Sequence, residues 1–329
     1  MTRARLIWLD VAKGIGIVLV VVAHVLLHSS AGWAAPIAST IYLFHMPLFF
    51  LLAGVTLRPE ALQTFARRKA IHLLLPYLAF LGLLGIPALA ASCALGTPFP
   101  DLGIDRCGTL PFKLLLGGST LGGIFGTFWF IPCLLLALIL AQAILHLSGT
   151  RRLYALALLV LTAFALPSLL PWSTAPLAMG VAPMATLLIL AGYWLAKPPR
   201  WWLFAALPLA VLTLLAQVPL DMKAGNYGIP ILSMLGAIAL SCLLIHASRR
   251  LAHSPLASLL STLGQGSLHI LYLHQAIHLS LRQLGVHDDV LLITLALAIP
   301  LLLHIPLRHL LNRTQDSFSQ HLFRKSSQL

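Results

Sequence analysis

The chain has 329 residues, 59% hydrophobic and only 9% charged, whereas a soluble domain carries about 25% charged residues. With a mean hydropathy of +0.95 and apolar residues gathered in long blocks, this excludes a water-soluble globule, a disordered tail and a coiled coil. What remains is a polytopic integral membrane protein. The net charge of +13 does not signal nucleic acid, because the basic residues stand singly or in short runs between apolar blocks, with no phosphate-tracking stripe.

Ten segments approach the ~20 apolar residues that a span requires: 7–29, 37–57, 71–93, 127–147, 153–171, 179–196, 201–219, 228–247, 262–282 and 290–308. The first follows Arg3 and Arg5 and could pass for a signal peptide. Asp10 and Lys13 interrupt it, and Ala31-Gly32-Trp33-Ala34 makes a poor cleavage site, so it is read as a retained span. Residues 94–126, with Asp101, Asp105, Arg106 and the run Gly117–Gly123, are read as an extracytoplasmic loop able to dip back where protein shields it. Cys93 and Cys107 flank this loop and can pair if it faces an oxidising compartment.

Ten spans place both termini on one side. With that side cytoplasmic, it receives 17 Lys and Arg, and the other receives four (Arg106, Lys113, Lys223 and Arg282), together the full 21. Cytoplasmic loops hold the excess. The predicted fold is therefore an all-α, polytopic transmembrane helical bundle of about ten spans with both termini cytoplasmic. Residues 1–311 form one membrane domain, and 312–329 form a short basic cytoplasmic tail near anionic headgroups.

Ionisable residues inside spans are costly and mark candidate sites. Lys13 and His24 are eleven residues apart, three turns plus about 20°, so they share a helix face about 16 Å apart along the axis. Asp10 can pair with Lys13 on that face. An interfacial anchor beside a core histidine is the plainer reading of this stripe. His45 lies about 12 Å along the second span from Pro36, and His24 about 8 Å from the outer end of its own helix, so the two can face each other at similar depth. Pro47 is predicted to kink its helix just after His45 and to free a carbonyl upstream. Arg67-Arg68-Lys69 can anchor topology or receive phosphates. His24/His28 and His274/His278 each stand four apart, but without carboxylates or thiolates at depth no metal site is predicted. Trp129 and Tyr272 suit core or interface packing as well as sugar stacking.

Several of these stretches resemble the membrane-bound acyltransferase-3 family, most closely its fucose 4-O-acetylase-like branch. Leu9-Asp10-Val11-Ala12-Lys13-Gly14-Ile15-Gly16 followed by His24 is similar to the family's opening motif, and Phe44-His45-Met46-Pro47-Leu48-Phe49-Phe50…Gly54 to its second. Arg67-Arg68-Lys69…Pro76-Tyr77 resembles the basic third motif, and Phe128-Trp129-Phe130-Ile131-Pro132 a Trp-Phe-x-x-Pro-type helix start. Leu263-Gly264-Gln265-Gly266-Ser267…Tyr272-Leu273-His274 resembles the family's late Gly…Ser…Tyr-Leu-x-His element. The likeness runs over residues 6–310 and departs from the pattern at Lys13, where the family carries arginine; lysine keeps the charge and loses bidentate geometry.

The resemblance implies acyl transfer in the bacterial cytoplasmic (inner) membrane, from acetyl-CoA or another acyl-CoA such as succinyl-CoA to a glycan hydroxyl. The acceptor would be a cell-surface or exopolysaccharide sugar, lipid-linked forms included, with membrane lipids as surroundings and no resident cofactor or metal. The catalytic candidates are His24 as general base and His45 as orienting partner or oxyanion stabiliser, with the roles exchangeable. A histidine acyl intermediate is the alternative route. Lys13, Arg67 and Arg68 are the donor-binding candidates. Asp10, Trp129, Tyr272 and His274 are the pocket candidates. A transporter or glycan-exporter component using buried His and Lys is the competing class, although no symmetry of broken helices between two halves supports it.

Overall fold

The computed structural model describes residues 6–169, 175–196, 202–304 and 306. The tail 312–329 and the N-terminal Arg3 and Arg5 lie outside the described residues. Among the described residues the fold is all-helical, with two isolated β-bridges, Phe99–Ile104 and Asp221–Asn226, that close loops. The helices are α1 (Ile7–Leu26), α2 (Ala34–Tyr42), α3 (His45–Val55), α4 (Leu62–Leu95), α5 (Leu110–Leu116), α6 (Phe130–His146) and α7 (Gly149–Leu169). They continue as α8 (Ala182–Trp194), α9 (Trp202–Ala216), α10 (Pro230–Leu251), α11 (Ala257–Gln265), α12 (Ser267–Gln283) and α13 (Asp289–His304).

Every apolar segment marked in the sequence falls on one or two of these helices. Among the described residues six helical stretches are long and apolar enough to cross a membrane, including Ile7–Leu26, Ala34–Val55 and Leu62–Leu95. Trp202–Ala216 and Asp289–His304 are apolar but shorter. The loop 94–126 is more ordered than its polar residues suggest. It carries α5 and three 3-10 turns, the disulfide Cys93–Cys107 closes its base, and Thr127 Oγ1 donates to the Leu271 carbonyl on α12 at 2.8 Å.

Lipid offers helices little hydrophobic drive to associate, so close backbone approach at small residues sets the packing. Two glycine crossings do this. A Cβ at Gly14 of α1 would strike the Leu260 carbonyl of α11, and one at Gly264 of α11 the Asp10 carbonyl of α1. Likewise a Cβ at Gly54 of α3 would strike the Ile189 carbonyl of α8, and one at Gly192 of α8 the Leu51 carbonyl of α3. α1 is the hub of the bundle and packs on α2, α3, α10, α11 and α12. At its C-terminal end Arg282 of α12 donates to the Val25 carbonyl (3.1 Å) and to Asp289 (2.6 Å), while Ser29 donates to the other Asp289 oxygen (2.5 Å). This half-buried cluster ties α1, α12 and α13 beside His24.

The second apolar segment breaks in a different place from the one expected. Instead of bending after His45, the chain leaves helical geometry at Phe44 (φ −148°, ψ −10°), and α3 begins at His45. The ring of Pro47 excludes the carbonyl four residues back, so the break falls upstream of the histidine. His45 therefore sits in the first turn of a new helix, buried to 2% exposure.

Candidate active site

A cavity of about 250 Å³ lies where the C-terminal end of α1 meets the α2–α3 break, α12 and two loops, 121–126 and 217–229. His24, His45, Tyr42, Gln275, Asp221 and Lys223 supply its polar wall, and Trp129 and Leu271 are among its apolar lining. The His24 ring lies edge-on to Tyr42 (5.9 Å between centroids) and to His45 (6.3 Å). The two histidines from the opening hairpin thus share one chamber.

Hydrogen bonding fixes how each neutral ring carries its proton. A backbone carbonyl only accepts, so His274 Nδ1–H donates to the Ile270 carbonyl at 2.8 Å, leaving Nε2 with a lone pair. That Nε2 lies 3.1 Å from His24 Nδ1, so His24 carries its proton on Nδ1 and keeps an unshared pair on Nε2. By the same reasoning His45 Nδ1–H donates to the Ile41 carbonyl at 3.0 Å, and its Nε2 is the basic atom. Two neutral imidazoles, each with Nε2 as acceptor, is the arrangement a general base requires.

A second cavity, of about 240 Å³, lies toward the N-terminal end of α1. Lys13 of α1, Lys69 of α4, Thr56 and Ser267 line it, and the rest of its wall is largely apolar, including Ile17, Phe49, Leu73 and Leu134. The two cavities share three wall residues, Met46, Phe130 and Leu271. One chamber with cations and one with imidazoles therefore meet across a short apolar septum. Lys13 keeps its partner Asp10, with Nζ 3.9 Å from the carboxylate.

The predicted site residues divide accordingly. His24, His45 and Trp129 line the histidine chamber, and Lys13 lines the cationic one. His274 stands behind His24 as its hydrogen-bond partner, so the direct orienting contact comes from His274 rather than from His45. Asp10 lines neither cavity and pairs with Lys13, which does. Tyr272 is not among the residues lining either cavity: it is fully buried and stacks on Phe80 at 4.8 Å in an aromatic core with Phe128. The pocket assignment for Tyr272 is therefore corrected, because its ring packs against Phe80 and Phe128 in the core. Arg67 and Arg68 also line neither cavity, and Arg68 pairs with Glu60. Lys69, the last member of the basic run, is the one that reaches the chamber.

Among the chamber residues that sequence reasoning missed are Tyr42, Lys223, Asp221 and Gln275. Lys223 appeared only as a loop charge. Its ammonium donates to the Leu121 carbonyl, stapling loop 217–229 to loop 121–126 across the chamber. Burial holds Lys223 below its ordinary pKa, with Asp221 acting in the opposite sense. Asp221 closes its own turn through Ala224 N–H at 3.1 Å. Gln275 is 8% exposed and lines the chamber with a buried Oε1 that has no hydrogen-bond partner among the described residues. Gly126 lies against that amide, where a Cβ would collide with it. The available signal for Gln275 was its position beside His274; Asp221 and Lys223 carried none beyond being a pair in an outer loop. Among the described residues no group of three or more His, Cys, Asp or Glu side chains is placed to hold a metal ion.

Comparison with known proteins follows this geometry. Residues 6–309 match the family model described as an acyltransferase domain. The chain is 33% identical over 147 residues to the nodulation protein NolL of Sinorhizobium fredii (strain NBRC 101917 / NGR234), covering 42% of this chain and 36% of that protein. It is 33% identical over 153 residues to the NolL of Mesorhizobium japonicum (strain LMG 29417 / CECT 9101 / MAFF 303099), covering 44% and 37%. The matched stretch thus spans little more than a third of these relatives. No solved structure matches. With the family model covering nearly the whole chain and six membrane-length helices beneath it, the protein belongs to the acyltransferase-3 family of membrane acyltransferases.

Proposed function

We propose that this protein transfers an acetyl group from acetyl-CoA to a hydroxyl of a cell-surface or exopolysaccharide sugar, lipid-linked forms included, as a member of the fucose 4-O-acetylase-like branch. The observation that carries this reading is the adjacency of the two chambers: basic imidazole nitrogens line one, Lys13 and Lys69 line the other, and Met46, Phe130 and Leu271 belong to both walls.

In this reading the protein sits in the bacterial inner membrane with ten crossings and both termini cytoplasmic, following the distribution of 17 cations against four. Lys13 and Lys69 then face the cytoplasm, and the loops that carry Lys223 and the Cys93–Cys107 disulfide face outward. A disulfide on that side agrees with an oxidising compartment. The nucleotide of the donor stays at the cytoplasmic mouth near Arg67 and Arg68, its phosphates drawn to Lys13 and Lys69, while the pantetheine arm occupies the apolar chamber. The acceptor enters from outside among Asp221, Gln275 and Trp129.

As the hydroxyl oxygen attacks the thioester carbonyl, its proton passes to His24 Nε2. The C–O bond forms, the C–S bond breaks, and the proton is delivered to the departing sulfur, so acid and base balance within one turnover. His274 Nε2 accepts the His24 Nδ1–H throughout and steadies the imidazolium that forms. Lys223 can meet the charge that develops on the carbonyl oxygen, whereas a neutral His45, its one N–H committed to the Ile41 carbonyl, has no donor for it.

Purified protein in lipid vesicles, given labelled acetyl-CoA and bacterial surface glycans, should yield labelled sugar ester together with free thiol. Glycan flux with no thioester consumed would establish a transporter instead. Lys69→Ala is expected to raise the KM for acetyl-CoA about tenfold with little change in kcat, because a phosphate contact made equally in the ground and transition states contributes to binding alone. A steady-state titration of donor at saturating acceptor checks this.

A further inference from the structure

The septum between the chambers has a chemistry of its own. Met46, Phe130 and Leu271 are 8%, 6% and 6% exposed, and none of their side chains offers a hydrogen bond or a charge. Phe130 is braced by Phe49 and Phe50, with ring centroids 6.0 and 5.0 Å away. The backbone of Leu271 is held by Thr127 at 2.8 Å. Met46, flexible and unbranched, is the adaptable member of the three. In the acyl-transfer reading, an acyl group carried from the cationic chamber to the imidazoles passes beside these three side chains, the residues common to both cavity walls.

We propose that Met46, Phe130 and Leu271 form an apolar collar that selects the acyl group, passing short uncharged acyls and rejecting those that end in a carboxylate. The inference rests on the acyl-transfer reading and adds the acyl class to it. A neutral acetyl group gives up little hydration inside an apolar ring. A succinyl carboxylate would have to shed its water there with no donor or cation among the three side chains to replace it, and an unpaired buried charge is strongly disfavoured. Lys223 stands beyond the collar, in the far chamber it shares with Asp221, so it offers the carboxylate no partner during the passage itself. Selection therefore falls on the transfer step and not on docking of the nucleotide, which both donors present identically to Lys13 and Lys69.

The test uses the full chain in vesicles, with acetyl-CoA, butyryl-CoA and succinyl-CoA offered separately and a mixture of methyl glycosides as acceptor probe. Released thiol and sugar ester are both measured. Acetyl transfer is expected to exceed succinyl transfer by at least about a hundredfold in kcat/KM, while succinyl-CoA still competes with acetyl-CoA at a Ki near the acetyl-CoA KM. Met46→Gln, of similar length but able to hydrogen-bond, should narrow the acetyl-to-succinyl ratio about tenfold. Met46→Ala, should the first variant fold poorly, should raise butyryl relative to acetyl transfer. Equal use of acetyl-CoA and succinyl-CoA overturns the collar while leaving acyl transfer in place, as does an unchanged preference in both variants. Thiol release no greater than in protein-free vesicles with every donor overturns the acyl-transfer reading, and the collar with it.

Discussion

His24→Ala is expected to lower acyl transfer by about 10²–10⁴-fold, the usual contribution of a positioned general base, with the KM for acyl-CoA little changed. In the proposed mechanism the donor's phosphates are drawn to Lys13 and Lys69, in a cavity that His24 does not line. The loss should appear in kcat because the imidazole acts only as the hydroxyl proton moves. His274→Leu is expected to cost less, about tenfold in kcat. It removes the acceptor at 3.1 Å that keeps the His24 proton on Nδ1, so part of the population presents the wrong tautomer, while the base itself remains. Initial rates for both variants, with circular dichroism and size-exclusion profiles to confirm folding, check the pair. Full activity of His24→Ala would remove the catalytic assignment and pass the role to His45, whose Nε2 is equally free of the Ile41 bond.

The second large effect concerns the scaffold that holds the histidines. Gly192→Leu is expected to destabilise the bundle by at least ~1–3 kcal/mol, the range for forced overpacking, and to lower its thermal transition in detergent. The added side chain meets the Leu51 backbone of α3 rather than a side chain able to rotate away. α3 is the helix that begins at His45, so the substitution should also reduce kcat in whatever folded fraction survives. Gly32→Leu is the matched control: no atom lies within 4 Å of the position a Cβ would take there, so its thermal transition should stay near that of the native chain. A Gly192→Leu transition equal to the control's would show that α3 and α8 do not cross in backbone contact.

Much of this was legible in the residues. Helical, membrane-embedded character followed from long apolar blocks, because a bilayer satisfies no backbone hydrogen bonds and leaves the helix as the economical spanning form. The meeting of His24 and His45 followed from helical rise along two adjacent spans, and their rings lie 6.3 Å apart. The possible Cys93–Cys107 pairing was visible as two thiols flanking one loop, and the disulfide is present. Family membership was legible from ordered short motifs, and the match over residues 6–309 supports it.

The sequence by itself thus determined the helical class, the membrane setting, the family and the histidine pair, since all of these depend on local composition or on neighbours in the chain. Tertiary structure alone decided which groups complete the site. It placed His274 on His24 across 250 residues, turned Tyr272 into the core, put Lys69 rather than Arg67 or Arg68 at the inner chamber, and brought Lys223, Asp221 and Gln275 to the outer one. The physical reason is that such contacts depend on how far a helix is rotated about its axis and which helix it crosses. Glycine crossings such as Gly14 with Gly264 set those variables through atoms of two distant segments at once, and no local pattern encodes them.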